Sequence, residues 1–204
     1  EWTVVRTRTV TVPWLIGADG HRSLVRRWLD IDFNVVAPAD NFAVFEFESK
    51  AGPEDEMRLC FSPGMLNVLW PLPGGRRRWS FQITDEEVSE YSREKDRFYM
   101  ATTPGGFPIL DDDSLPRLIA ARAPWFETVG MGDIRWRIVV RFEKRLAATF
   151  GKGRAWLVGD AGHMTGPAGI QSMNIGFREG TGLARRIAEA HESGKSEGLQ
   201  AYND

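Results

Sequence analysis

Val4, Val10 and Val12 interleave with Arg6 and Arg8 at the start of the chain, a period-two pattern that predicts a strand. Residues 42–48 (Phe-Ala-Val-Phe-Glu-Phe-Glu) alternate more regularly, and residues 57–61, 66–70, 78–83 and 134–142 are further strand candidates. Pro73-Gly74-Gly75 marks a turn within that series. Two short apolar runs behave differently. Trp14-Leu15-Ile16 stops at Gly17-Ala18-Asp19-Gly20, and residues 155–158 run straight into Gly159-Asp160. A helix is predicted from the N-cap Ser23 to about Asp30. Residues 84–97, rich in Glu and Lys, read as a solvated helix, and residues 114–123 as another, capped by Ser114 and stopped by Pro124. In the last helix Leu183, Ala184, Ile187 and Ala188 fall on one face.

The 204 residues suit one ordinary domain or two small ones sharing a core. With 26 basic and 28 acidic side chains the net charge is −2, which argues against a nucleic-acid partner. Hydrophobic residues at 42% are enough for a packed core. A single cysteine, Cys60, forms no internal disulfide, which fits a cytoplasmic location, and no apolar run reaches the ~20 residues of a membrane helix. Eight tryptophans and twelve phenylalanines suggest apolar cavities or sheet faces, with Phe45, Phe47, Trp70, Trp79 and Phe81 either lining a pocket or forming core.

The two Gly-Asp turns carry the chemical signal. Each follows an apolar strand and precedes a helix, the place where open α/β sheets bind ligands. Glycine admits a ligand to the backbone, a helix N-terminus favours an anion, and an Asp accepts hydrogen bonds from sugar-like hydroxyls. From Gly159, eighteen residues hold five glycines and Pro167, which predicts a shaped, backbone-exposing loop and not a hydrophobic helix start. The other polar groupings read as structure. Asp111-Asp112-Asp113 is a solvated turn, Arg76-Arg77-Arg78 a solvated hairpin, and His163 a loop-shaping residue. His21, His163 and His191 lack metal-ligand spacing, so no metal site is expected, and Ser62 and Ser172 lie in no nucleophile elbow.

The segment Gly159-Asp160-Ala161-Gly162-His163 to Gly176 resembles the flavin-binding motif of the class A FAD-dependent aromatic monooxygenases, the para-hydroxybenzoate hydroxylase type. Gly17-Ala-Asp-Gly-His-Arg-Ser-Leu-Val-Arg26 resembles their second, Asp-Gly signature. The β-rich stretch with its Pro-Leu-Pro-Gly-Gly hairpin between them resembles their substrate domain. The resemblance implies an α+β fold: a partial FAD-binding domain from residues 1–32 and 143–204, with a β-sheet substrate domain at 33–142. It implies that Gly159 and Asp160 sit at the flavin, Asp160 on the ribityl chain. Pro167, Gly169, Ile170, Gln171, Ser172, Met173 and Asn174 would present backbone groups to the pyrimidine side of the isoalloxazine. Asp19 and Gly20 would lie near the pyrophosphate and assist the nicotinamide cofactor, and Arg26 would organise that turn. Four positions depart from the pattern: Gly162 stands where Ala is usual, Ile170 where Gly is frequent, and Glu179-Gly180 where Asp-Ala often ends the motif.

The implied activity is hydroxylation of a small aromatic or polycyclic substrate with FAD, NAD(P)H and O2. No catalytic acid or base stands out, as expected where the cofactor carries the chemistry. Gly-x-Gly-x-x-Gly is absent; Gly130-Met-Gly132 and Gly151-Lys-Gly153 begin the pattern without completing it. The expectation is a fragment lacking that βαβ unit, inactive alone and weak in FAD binding. An apolar scar would remain, with a homodimer as one way to cover it. The alternative is a non-catalytic truncated product whose β domain binds a small ligand or dimerises. A third reading within the flavoprotein class is a halogenase or a prenyl-chain reductase; Ile134-Arg-Trp136 and Trp136-Arg-Ile138 only graze the Trp-x-Trp-x-Ile signature of the halogenases, so it is discounted.

Overall fold

The computed structural model describes residues 3, 5–52, 55–87, 110, 113–166 and 172–203. The chain divides into two compact units, Glu1–Pro38 with Glu143–Asp204, and Ala39–Phe142.

The first unit is built around three short strands. β1 (Leu15–Gly17) pairs in parallel with β8 (Ala155–Leu157), matching Leu15 to Ala155 and Gly17 to Leu157. β8 also pairs antiparallel with β7 (Gly151–Lys152). Every residue of β8 is buried, the condition of a strand covered on both faces. Leu157 packs with Ile31, Ala147 and Ala161 beside helix α1 (Leu24–Trp28). Trp156 points the other way and packs with Leu183, Ala190 and Leu199 under helices α3 (Ser172–Ser193) and α4 (Glu197–Gln200). The buried stripe of α3 is therefore Leu183, Ile187 and Ala190; Ala184 and Ala188 are exposed, a rotation of the predicted face. Leu183 and Ile187, at i and i+4, gain more by burial than Ala184 and Ala188, so they set the rotation.

Strands β2 (Phe33–Glu48), β3 (Arg58–Ser62), β4 (Met65–Leu72), β5 (Arg76–Ile83) and β6 (Ile134–Ala147) supply the sheet of the second unit, in the order β3-β4-β5-β2-β6. The β4–β5 hairpin turns at Pro73-Gly74-Gly75, where both glycines have positive φ, 77° and 71°. Phe45, Phe47, Trp79 and Phe81 have no exposed surface and form core with helix α2 (Ser114–Arg122), whereas Trp70 is half-buried. Trp79 stacks on Phe81 at 4.8 Å and meets Phe126 edge-on at 5.6 Å.

Several local expectations change. Residues 5–12 form no strand and are exposed, because a strand needs ladder partners as well as alternation. Asp113, not Ser114, occupies the N-cap of α2, and Ser114 is buried in its first turn. Residues 85–87 are helical and opened by a capping box: Glu87 N–H donates to Thr84 Oγ1 at 3.1 Å, and Thr84 N–H to Glu87 Oε2 at 2.9 Å. Residues 88–97 of the predicted helix, with Asp111 and Asp112, lie outside the described residues. Arg76 and Arg78 pair with Glu46 at 3.1 and 3.0 Å, but Arg77 is buried and donates to the Ala51 carbonyl, so the triplet is not a solvated tip. Among the described residues no helix is long and apolar enough to cross a membrane.

The packing of α1 on β1 and β8 turns on one residue. A Cβ at Gly17 would fall 2.8 Å from Val25 Cβ and 2.9 Å from Leu157 Cδ2. Gly17→Ala should therefore cost about 1–3 kcal/mol through overpacking. The expected result is a lower urea midpoint at unchanged m-value; an unchanged midpoint would show that α1 yields freely.

Candidate functional site

Parallel pairing of β1 with β8 brings the two Gly-Asp turns side by side. The first turn leads into α1 through a double cap. Ser23 Oγ accepts from the Arg26 N–H at 2.9 Å, and Asp19 Oδ2 accepts from the Leu24 N–H at 2.7 Å and the Val25 N–H at 3.3 Å. Slight burial works against ionisation of Asp19, but its hydrogen bonds from Ser23, Val25 and Leu24 prevail and hold the carboxyl below its ordinary value. The Asp19 side chain is thus committed to the start of its own helix.

Arg26 joins the two turns. Its buried guanidinium donates from Nη1 to the Ala161 carbonyl and from Nη2 to the His21 carbonyl, both at 2.7 Å, and lies 3.8 Å over the Phe33 ring. The second turn is a single 3-10 turn, Gly159–Ala161, with Gly159 at φ 57°. Only glycine enters that left-handed region without strain. Strand β9 (His163–Met164) follows and pairs with the end of β6, Leu146 opposite His163. The turn also leans on α3: a Cβ at Gly176 would come within 3.3 Å of Gly159 Cα.

A cleft of about 820 Å³ opens above these turns, lined by Ala18, Gly20, Val158, Gly159 and Asp160 on one side. On the other side α3 contributes residues one turn apart. Gly176, Gly180 and Ala184 form a floor of small side chains, and Met173 and Phe177 are exposed apolar residues beside it. A Cβ at Gly20 or Gly180 would meet nothing within 4 Å, so the space above them is open. Asp160 is exposed at this cleft, while Ser172, Met173 and Asn174 belong to the first turn of α3 and not to a loop. Ser172 and Met173 line the cleft; Asn174 is exposed on the same helical turn. Pro167, Gly169, Ile170 and Gln171 lie outside the described residues. The donor set suits a polyhydroxylated, partly apolar ligand: a carboxylate to accept from hydroxyls, glycine backbone for close approach, and apolar side chains beside them.

Three residues of the site have roles that the sequence signalled weakly. Glu179 Oε2 accepts from the Gly159 N–H at 3.0 Å, and its Oε1 meets His163 Nε2 at 2.7 Å. Its only sequence signal was the departure from an Asp-Ala ending. Tyr202 donates its hydroxyl to the Leu157 carbonyl at 3.1 Å, closing the base of β8. Phe150 accounts for Gly162, since a Cβ there would lie 2.6 Å from the Phe150 ring.

An FAD binding domain family matches residues 115–204. The chain is 28% identical over 197 residues to 6-methylpretetramide 4-monooxygenase of Streptomyces rimosus, covering 90% of this chain and 30% of that protein. It is 27% identical over 180 residues to a 3-(3-hydroxy-phenyl)propionate/3-hydroxycinnamic acid hydroxylase of Escherichia coli, covering 88% and 29%. A solved ternary complex of aklavinone-11 hydroxylase with FAD and aklavinone superposes with a TM-score of 0.57 at 22% identity, covering 88% of this chain and 31% of that one. The fold is that of the FAD-dependent aromatic hydroxylases. The chain is similar to FAD-dependent aromatic and polyketide monooxygenases and spans about a third of the length of the relatives it matches.

The bond that unites the two turns is directly testable. Arg26→Ala leaves the His21 and Ala161 carbonyls without their charged donor and should cost about 2–4 kcal/mol in urea unfolding. Arg26→Lys should recover less than half of that loss, because one ammonium cannot span two carbonyls as the planar fork does. Full recovery by lysine would mean that charge, not the fork, joins the turns.

Proposed function

We propose that this chain contributes the Gly-Asp half of the FAD site, together with a substrate domain, to a monooxygenase that hydroxylates an aromatic or polycyclic small molecule using NAD(P)H and O2. The observation that carries the reading is the convergence of Gly20, Gly159, Asp160, Gly176 and Gly180 on one cleft. The relatives named above support the reaction class and the substrate class. Residues 1–32 and 143–204 serve the flavin in this reading, and residues 33–142 the substrate.

The residues present fit the cofactor. Gly20 and Gly180 leave open space where a side chain would otherwise project, and the Asp160 carboxylate accepts from a ribityl hydroxyl. Gly159 and the first turn of α3, including Ser172, Met173 and Asn174, offer backbone to the cofactor. Pro167, Gly169, Ile170 and Gln171 complete that set by resemblance. Arg26 and Asp19 act behind this surface, holding the first turn so that Gly20 meets the ligand. When bound, the flavin supplies the redox chemistry that turns NAD(P)H and O2 into a hydroxylating agent. The protein's own contribution is orientation and exclusion of water, which is consistent with a site that holds an exposed carboxylate and glycine backbone rather than an acid–base pair.

Fluorescence titration of FAD against the purified chain tests this reading. Asp160→Ala should weaken binding by about ten- to hundred-fold through loss of a charge-assisted hydrogen bond. Gly180→Leu, which fills the open space while keeping a good helix former, should abolish it. Asp113→Ala, on an exposed turn of the other unit, should change nothing. Equal effects from Asp160→Ala and Asp113→Ala would overturn the assignment.

A further inference from the structure

The Gly159–Ala161 turn offers one carboxylate to the cleft, yet a single three-residue 3-10 turn has few bonds of its own to hold it in place. What fixes it comes from α3. Gly176 touches Gly159 at backbone distance, and Glu179, three residues further along the same helix, reaches the Gly159 N–H with one oxygen and the His163 ring with the other. His163 is itself 7% exposed and anchored in β9, beyond the turn. One carboxylate therefore spans the turn, gripping the residue that opens it and the strand that follows it. Asp160 lies between those two grips.

We propose that Glu179 is the positioning residue of the cleft, and that its pairing with His163 makes the placement of Asp160, and so the affinity for a hydroxyl-bearing cofactor, depend on protonation. The inference deepens the FAD reading and, for its binding arm, rests on it. The length of the side chain matters: the glutamate stands where the related motif often has the shorter aspartate. Its neighbour Gly180 leaves open space rather than a methyl group on the cleft floor.

The electrostatics agree with the geometry. The hydrogen bond that the His163 ring donates to Glu179 raises the His163 pKa above its ordinary 6.5; burial opposes that rise, and the charges of Glu179 and Asp160 add to it. The other groups facing the pair are Tyr202 and, beyond it, Arg186. Burial and the Glu179 charge push the Tyr202 phenol up while Arg186 pulls it back, so Tyr202 stays a neutral donor to Leu157. Arg26 approaches from α1 but spends its guanidinium on the carbonyls of His21 and Ala161. A histidine whose folded pKa is raised contributes stability in full below 6.5 and loses it as pH climbs through the raised value. The clamp is therefore tight when His163 is an imidazolium and slackens as it is neutralised on the alkaline side.

The test is an NMR titration of the histidine ring protons in the whole chain, with His163→Asn to assign the signal, together with hydrogen exchange at the Gly159 amide. In the parent protein His163 should titrate above 6.5, and Glu179→Gln should bring it down to that value or lower. Glu179→Ala should speed Gly159 exchange by about tenfold or more, whereas Glu179→Gln, which keeps an acceptor, should retain most of the protection. FAD affinity of the parent should fall as pH rises through the His163 titration, and in Glu179→Gln that dependence should vanish. A His163 titration unmoved by Glu179→Gln, or Gly159 exchange unmoved by Glu179→Ala, overturns the proposal. A flat pH profile of FAD affinity in the parent overturns its link to binding. Absence of FAD binding altogether sinks the cofactor reading instead, and the titration and exchange still decide the clamp.

Discussion

A single buried guanidinium makes one site out of two distant pieces of chain. Arg26 belongs to α1, but its bonds run back to the His21 carbonyl in the first turn and across to the Ala161 carbonyl in the second. The carbonyls of His21 and Ala161 lie in turns outside the strand ladder and need a donor, and a planar guanidinium fork serves both at once. The Phe33 ring beneath it and the caps at Ser23 and Asp19 hold that fork in position. With the fork in place, the strand pairing of Gly17 with Leu157 and the seating of α1 follow from close packing at glycine.

The cleft above this junction depends on restraint in side-chain size. Glycine at 159 permits the left-handed turn, glycine at 176 lets α3 approach it, and glycines at 20 and 180 leave its space open. Among the described lining residues the polar side chains are few: Asp160, Ser172 and Thr181. A cofactor that carries its own chemistry needs such a surface, one that binds and orients with little side-chain reactivity of its own. Glu179 reaches the turn from α3, where its carboxylate accepts from the Gly159 N–H.

The second unit follows a different rule. Its sheet buries Phe45, Phe47, Trp79 and Phe81 against α2, so these aromatics are core rather than a ligand surface. Cross-strand pairing of Glu46 with Arg76 and Arg78 places the charges on residues that alternate with that core, which is what a half-buried antiparallel sheet requires. Trp70, only half-buried, does not join that core.

Periodicity and turn chemistry alone determined much of the molecule: the alternating strands, the Ser23 cap, the Pro-Gly-Gly hairpin and the two Gly-Asp turns that follow β1 and β8 are local features, written within a few residues of where they act. The resemblance of those turns to a flavin-binding pair came from the same short segments. Tertiary structure decided everything that depends on a partner far away in sequence. Residues 5–12 alternate well but have no ladder to join, and α3 turned its larger side chains, Leu183 and Ile187, toward Trp156 in place of the alanines. Ser172, Met173 and Asn174 form the first turn of α3, although a glycine-rich approach suggested a loop. Arg26, Glu179 and Phe150 act across 135, 20 and 12 residues respectively, on Ala161, Gly159 and Gly162. A sequence pattern shows what a residue prefers, whereas the worth of a hydrogen bond or a missing Cβ is set by the atom that the fold brings opposite it.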